Sequence, residues 1–247
     1  MRIEFQNEVT STNDILINEH PLEDMALVAF SQTKGKGRKG REFFSPSDTG
    51  LYMSIILHPE CLVQDAIKLT TIMAVAACRA IDRIKDDTCV TKIKWVNDIY
   101  MNEKKIAGIL TECSPNIVNG VPDFLVVGIG INVFEPEGGF PDEIRNRAGA
   151  IFDNDEYLKT NISKNDARKT LAYYMVEEFM KIYESFPNCS YEDEYINRSM
   201  LIGRNVCIVG GDEVLVESID SDLGLVVRHK DGTLETLTAG EVSLVLQ

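Results

Sequence analysis

Residues 123–134, DFLVVGIGINVF, form an apolar run of strand length in which Gly128, Gly130 and Asn132 fall on alternate positions. Successive side chains of a strand point to opposite faces, so one face carries branched aliphatics and the other carries two glycines. A glycine inside a strand marks close approach of a ligand, another backbone or a packed helix. Working outward, KKIAGILTEC (104–113), LYMSIILH (51–58), MALVAFSQ (25–32) and the short MRIEFQ (1–6) read as further strands. TKIKWVND (91–98) runs into a hairpin that turns at Asn102 to Lys104, and strand alternation would place Trp95 and Asn97 on one face and Lys94 and Val96 on the other. These strands should form one central sheet.

Helical patterns lie between them. Ser11 and Asp14 have capping-box spacing before a helix over 11–20. Residues 64–81 are apolar all round, as expected of a helix covered on both sides, and 164–186 have amphipathic spacing. Residues 135–149 read as a loop. After Met200 the sequence becomes short apolar runs broken by GGD, SDLG and KDG, which predicts a small barrel of about five strands. The fold class is therefore α+β: a central mixed or antiparallel sheet flanked by helices over residues 1–200, then a small β domain over 201–247.

The chain has 247 residues, 44% of them hydrophobic, which is ordinary for a packed protein. There is no run long enough for a membrane span, nor an apolar signal segment near Met1, so a cytoplasmic location is expected. Six scattered cysteines (Cys61, Cys78, Cys89, Cys113, Cys189, Cys207) without a CxxC, and three histidines, argue against a disulfide framework or a clustered zinc site; buried reduced thiols are expected. A net charge of −14 repels nucleic-acid phosphates. One island opposes it: KGKGRKGRE (34–42) sets Lys34, Lys36, Arg38, Lys39 and Arg41 against Glu42.

In that island, glycines let the backbone approach a ligand while the cations supply charge, so an anion is the natural guest. GKGRKG also satisfies G-x-G-x-x-G, but FFSP follows where a helix would have to open, and no acidic residue stands about twenty positions on. A solvated basic loop remains the plain alternative. KWVND (94–98) could point polar side chains into a site or be a simple turn. Lys105 precedes the apolar IAGIL, so its ammonium must snorkel to solvent or meet a buried anion. Ser11-Thr12-Asn13 could be no more than a helix cap.

Taken in order, STND, SQTKGKGRKGREFFSP, KWVNDIY, KKIAGIL and VVGIGINV resemble the catalytic domain of the biotin protein ligases, or biotin–[acetyl-CoA-carboxylase] ligases. The resemblance covers roughly residues 1–200, and the β domain that follows resembles the family's C-terminal SH3-like barrel. It implies a class II synthetase-like fold and a two-step acyl transfer. Biotin and ATP, with Mg2+, give biotinyl-5′-AMP and pyrophosphate; a lysine of a biotin carboxyl carrier protein then takes the biotinyl group. The resemblance implies biotin-binding roles for Ser11, Thr12, Asn13, Gln32, Lys36, Gly37, Arg38, Lys105, Gly108, Gly128 and Gly130. It implies ATP or adenylate contacts from Arg38, Arg41, Phe43, Asn97, Asp98, Lys105 and Asn132, with Lys105 and Arg38 catalytic and Asp98 the magnesium candidate. Phe43 would offer adenine an aromatic face, and the glycines would carry the flat biotin rings.

Three positions depart from the family pattern: Lys36 where Arg is usual, Phe43 where Trp is usual and Val96 where Pro is common. The chain begins almost at the first catalytic strand, so the resemblance is to the monofunctional form without an N-terminal winged helix. DNA binding is accordingly not expected, nor is membrane association, and the expected state is a monomer or homodimer. The related lipoyl-protein ligases and octanoyl transferases are the alternative enzymes; their substrates call for an apolar tunnel rather than polar ureido partners. A non-catalytic module docking RNA or an acidic partner through the basic loop is the alternative outside enzymes.

Overall fold

The computed structural model describes residues 1–85, 90–153, 162–186, 188, 190–238 and 242–244. Seven strands make one mixed sheet: β1 (Arg2–Gln6), β2 (Met25–Ala29), β3 (Gly50–Leu57), β4 (Lys92–Lys94), β5 (Asp98–Met101), β6 (Lys104–Cys113) and β9 (Leu125–Asn132), in the order β1-β2-β3-β9-β6-β5-β4. β1 runs parallel to β2, and the other neighbours are antiparallel. β7 (Ile117–Val118) and β8 (Val121–Pro122) form a small separate hairpin. The glycine strand β9 lies in the middle, paired along its length with β3 and β6.

Alternation sorts the two faces. Leu125, Val127, Ile129 and Ile131 join the larger core with α2 (Ala66–Ile84), which is covered in turn by α4 (Lys164–Tyr183). A helix between a sheet and another helix must be apolar all round, as α2 is. On the opposite face, Met25, Leu27, Ile56 and Val126 pack under Leu16 of α1 (Thr12–Glu19) in a smaller cluster that stops where Gly128 begins. Space for a site therefore opens between the start of α1 and the glycines. The 135–149 tract, expected as loop, contains one helical turn, α3 (Asp142–Arg145). Among the described residues, no helix is long and apolar enough to cross a membrane.

The hairpin turn falls where expected: Asn102 and Glu103 take φ of 49° and 60°, the pair of left-handed residues a two-residue type I′ turn requires. KWVND differs from expectation. The strand stops at Lys94, and Trp95-Val96-Asn97 turn the chain into β5, so alternation does not govern these side chains. Trp95 and Val96 are both buried because tertiary contacts hold both. Trp95 Nε1 donates to the Leu223 carbonyl at 2.9 Å, and Tyr195 Oη donates to the Val96 carbonyl at 3.1 Å. Tyr195 belongs to α5 (Glu192–Asn197).

Leu223 belongs to the C-terminal part, an antiparallel five-stranded sheet of β10 (Asn205–Ile208), β11 (Glu213–Ile219), β12 (Leu225–Arg228), β13 (Leu234–Leu237) and β14 (Val242–Leu244), ordered β13-β12-β11-β10-β14. Its Val206, Val214, Val216 and Val227 join the same apolar cluster as Trp95. Thiol burial is only half as expected: Cys61 and Cys78 are buried, whereas Cys113 at the end of β6 and Cys207 in β10 are exposed; Cys89 and Cys189 lie outside the described residues. Burial pushes the Cys78 thiol up to about 12, which leaves it inert.

Trp95→Phe keeps the ring but strands the buried Leu223 carbonyl. It should cost about 1–3 kcal/mol of unfolding free energy, read from urea denaturation, because a buried acceptor loses its partner.

Candidate functional site

The N-terminus of α1 brings three polar residues to the bare face of β9. Ser11 is the N-cap, its hydroxyl accepting from the Asp14 amide at 3.4 Å. The reciprocal half of the expected capping box is missing, since the Asp14 carboxylate instead holds the Lys36 ammonium. Gln32 Oε1 accepts from the Thr12 amide at 2.8 Å and its hydroxyl at 3.2 Å. Asn13 Nδ2 donates to Glu112 Oε2 at 2.7 Å and to the Leu110 carbonyl at 3.2 Å, while its Oδ1 accepts from Ser54 Oγ at 2.5 Å. Ser54 Oγ also lies 2.7 Å from Thr12 Oγ1.

Ser54 and Glu112 were missed in the sequence. Ser54 left one legible trace, a polar residue inside the otherwise apolar run LYMSIILH. Glu112 left none, because a carboxylate near a strand end is ordinarily solvated.

The glycines divide the work differently from expectation. A Cβ on Gly128 would lie 1.9 Å from Asn13 Oδ1, so the space there is taken by the Asn13 amide rather than left for a flat ring. A Cβ on Gly130 would lie 2.7 Å from Phe43 Cε1, and one on Gly108 would lie 3.5 Å from Phe43 Cε2. The Phe43 ring thus rests on Gly130 and faces Gly108, inside the wall of the pocket rather than beyond it. Ser11, Thr12, Asn13, Gln32, Lys36, Phe43, Gly108, Gly128 and Gly130 all line this one pocket, which with the ring in place encloses only about 20 Å³.

The basic island folds as a tight hairpin. Lys36 and Glu42 face each other across an isolated antiparallel backbone bridge, the Gly37 amide donates to the Arg41 carbonyl at 2.7 Å, and Phe43 N donates to the Gly35 carbonyl at 3.0 Å. Gly35 cannot be larger, since a Cβ would lie 2.4 Å from Ser45 Oγ. The hairpin is tied down at two points. Lys36 reaches Asp14, whose carboxylate holds the ammonium above the usual lysine range, and Arg38 Nη1 donates to Asn97 Oδ1 at 3.2 Å. Asn97 Nδ2 in turn donates to the Ile109 carbonyl at 2.7 Å. Arg41 stands exposed on the outgoing arm.

Lys105 neither snorkels free nor waits for an absent anion: its ammonium is 2.6 Å from Asp98 Oδ1, with the two side chains 33% and 19% exposed. The reason is register, because Asp98 sits opposite Gly108, three residues from Lys105, and Gly108 leaves the lysine chain room to fold back. Asn132 holds the segment after β9, donating from Nδ2 to the Gly149 carbonyl at 2.9 Å, while Gly149 N donates to the Lys105 carbonyl at 2.9 Å. A larger cavity of about 600 Å³ opens along that segment, lined by Lys104, Glu135, Phe140, Gly149 and Phe152 among others. Reading 135–149 as plain loop left it unseen. Among the described residues, no group of three or more His, Cys, Asp or Glu is placed to hold a metal ion.

The site is thus a sheet face bared by glycines, rimmed by neutral amides and hydroxyls and closed by cations on a hairpin, and comparison with known proteins gives the family. Residues 3–132 match the Biotin/lipoate A/B protein ligase family, and the chain belongs to it. The Bifunctional ligase/repressor BirA of Bacillus subtilis (strain 168) is 38% identical over 138 residues, 55% of this chain and 41% of that protein. The matched part thus spans under half of that relative. Its namesake from Escherichia coli (strain K12) is 26% identical over 245 residues, 96% of this chain and 72% of that protein. The biotin protein ligase of Aquifex aeolicus, in complex with biotin and ATP, superposes with a TM-score of 0.76 at 27% identity, covering 100% of this chain and 99% of that one.

Gly128→Ala should lower stability by about 1–3 kcal/mol, because the added methyl drives Asn13 out of three hydrogen bonds. Gly130→Ala should cost less, since its methyl meets only the Phe43 ring. Thermal melting of the two variants side by side checks the order.

Proposed function

We propose that the chain is an ATP-dependent biotin protein ligase. It activates biotin to biotinyl-5′-AMP and then passes the biotinyl group to a lysine of a biotin carboxyl carrier protein, as in a biotin–[acetyl-CoA-carboxylase] ligase. The observation that carries this reading is the junction, in one pocket, of the neutral cluster Ser11, Thr12, Asn13 and Gln32 with Lys36 of the cationic hairpin, beside the Lys105–Asp98 pair that folds back over Gly108 in the pocket wall. A cyclic urea has both donors and acceptors but no charge, so it suits amides and hydroxyls that are themselves held in place. A lipoyl or octanoyl chain has no donor or acceptor to offer that cluster, which disfavours the alternative. We place the ligase chemistry in residues 1–200, with 201–247 as a supporting SH3-like domain.

In the first step a biotin carboxylate oxygen attacks the α-phosphorus of ATP and pyrophosphate leaves. In the second the carrier lysine amine attacks the acyl carbon and AMP leaves. Two anions must meet in the first step, so fixed cations are the main requirement. Lys105 supplies one by turning from Asp98 to the carboxylate and phosphate, and Arg38 supplies another by leaving Asn97. Phe43 must move off Gly130 to admit the ring system, since about 20 Å³ holds no more than a water molecule. Once displaced it becomes a side wall for the adenylate, with Arg41 toward the phosphates and Asn132 near the nucleotide. Mg2+ carried by a triphosphate ordinarily takes one or two carboxylates, and Asp98 is the candidate; the bound ion would neutralise phosphate charge.

Purified protein should catalyse biotin-dependent exchange of pyrophosphate into ATP. Exchange with lipoate and none with biotin would overturn the reading. Lys105→Met should lower the exchange rate at least about 100-fold, the scale of losing one fixed charge at a transition state, while melting near the wild-type temperature.

A further inference from the structure

Arg168 lies on the buried stripe of α4 and is 1% exposed, an expensive place for a charge. Burial draws its pKa down, opposed by Asp48. Its guanidinium lies 4.5 Å from the centre of the Phe30 ring. Nη1 donates to the Phe30 carbonyl at 3.5 Å and to the Gly50 carbonyl at 3.4 Å. Nη2 donates to Asn165 Oδ1 and lies 3.5 Å from Asp48 Oδ1, while Nε has no hydrogen-bond partner among the described residues.

The positions of those acceptors give the arrangement its meaning. Phe30 follows the last residue of β2 and Gly50 is the first of β3, so one guanidinium nitrogen bonds both ends of the segment 31–49. That segment carries Gln32, the cationic hairpin and Phe43. Asp48, near its end, is 80% exposed and takes φ 62°, a conformation that favours glycine, yet it faces Arg168. Gly50 also abuts Tyr52: a Cβ there would lie 2.1 Å from Tyr52 Oη, and the Tyr52 ring meets Phe43 edge-on at 6.3 Å between centroids.

We propose that Arg168 is a positioning residue for the active-site segment 31–49, a clamp on both of its ends applied from the far face of the sheet. A methionine or leucine would fill the volume at lower desolvation cost. A planar guanidinium sets one nitrogen on both carbonyls while the other reaches Asn165 and Asp48, which an apolar side chain does not do. Holding the segment's ends fixes where Gln32 and Phe43 sit over the pocket, although Arg168 touches neither ligand. The consequence for biotin rests on the ligase reading above; the restraint of the segment does not.

The test uses Arg168→Lys, which keeps the charge and loses the fork, and Asp48→Asn at the exposed partner. Native trypsin digestion without ligands, followed by mass spectrometry, compares cleavage after Lys36 and Lys39 with cleavage after the remote Lys230. Exchange assays give KM and kcat for biotin. For Arg168→Lys we expect cleavage in the hairpin to rise at least about fivefold relative to Lys230, and KM to rise about tenfold with kcat changed less. Asp48→Asn should move both in the same direction by less. Wild-type relative cleavage and KM in a folded Arg168→Lys protein would overturn the clamp, whatever its melting temperature. Should that variant not fold, wild-type values for Asp48→Asn overturn it. Absence of biotin-dependent exchange in the wild type would overturn the ligase reading alone, because the digestion result needs no turnover.

Discussion

The site depends on a strand that lacks side chains on one face. β9 sits between β3 and β6 and pairs with both from Leu125 to Ile131, so its path is fixed from either side. What varies is its relief. At Gly128 the missing methyl lets the Asn13 amide drop against the strand and lock α1 by its first turn; at Gly130 it leaves a floor on which an aromatic ring lies flat enough to touch backbone. A side chain at Gly128 would separate the helix terminus from the sheet, and the polar cluster of Thr12, Gln32 and Ser54 would lose its common support; one at Gly130 would displace the Phe43 ring.

Around that floor, positive charge is kept in check by the protein itself. The acidic chain supplies Asp14 to Lys36 and Asp98 to Lys105, and Asn97 accepts from Arg38. Cations gathered here but left unpaired would repel one another and scatter; paired in this way they stay close to the pocket. Exchanging a carboxylate partner for another anion would also offset much of the cost of drawing each cation away.

Much of the fold was legible because period-two and all-round apolar patterns are set by burial: the sheet strands apart from the break between β4 and β5, α2, α4 and the Asn102–Glu103 turn follow from residue type alone. The five strands after Met200 were legible from turn punctuation. Trp95-Val96-Asn97 was not, because two apolar residues in succession look like strand until a partner such as Leu223 pulls both inward. At the site, Ser11, Thr12, Asn13, Gln32, Lys36, Phe43, Gly108, Gly128 and Gly130 line one pocket, yet their contacts were hidden. Nothing local says that Asn13 would need Glu112, 99 positions away, that Gly128 would make room for Asn13, or that an arginine on a buried helical stripe would hold two loop ends. Such pairings are written in three dimensions only.

Trp95 is the one tryptophan of the chain. Its indole is sealed at the seam where the first sheet meets the C-terminal strands, two residues from Asn97 and three from Asp98. The protein therefore carries an intrinsic optical probe at that seam. Its emission, blue-shifted while the indole is dry, would turn red on hydration if the C-terminal strands were to lift away, so their attachment can be followed with no added label.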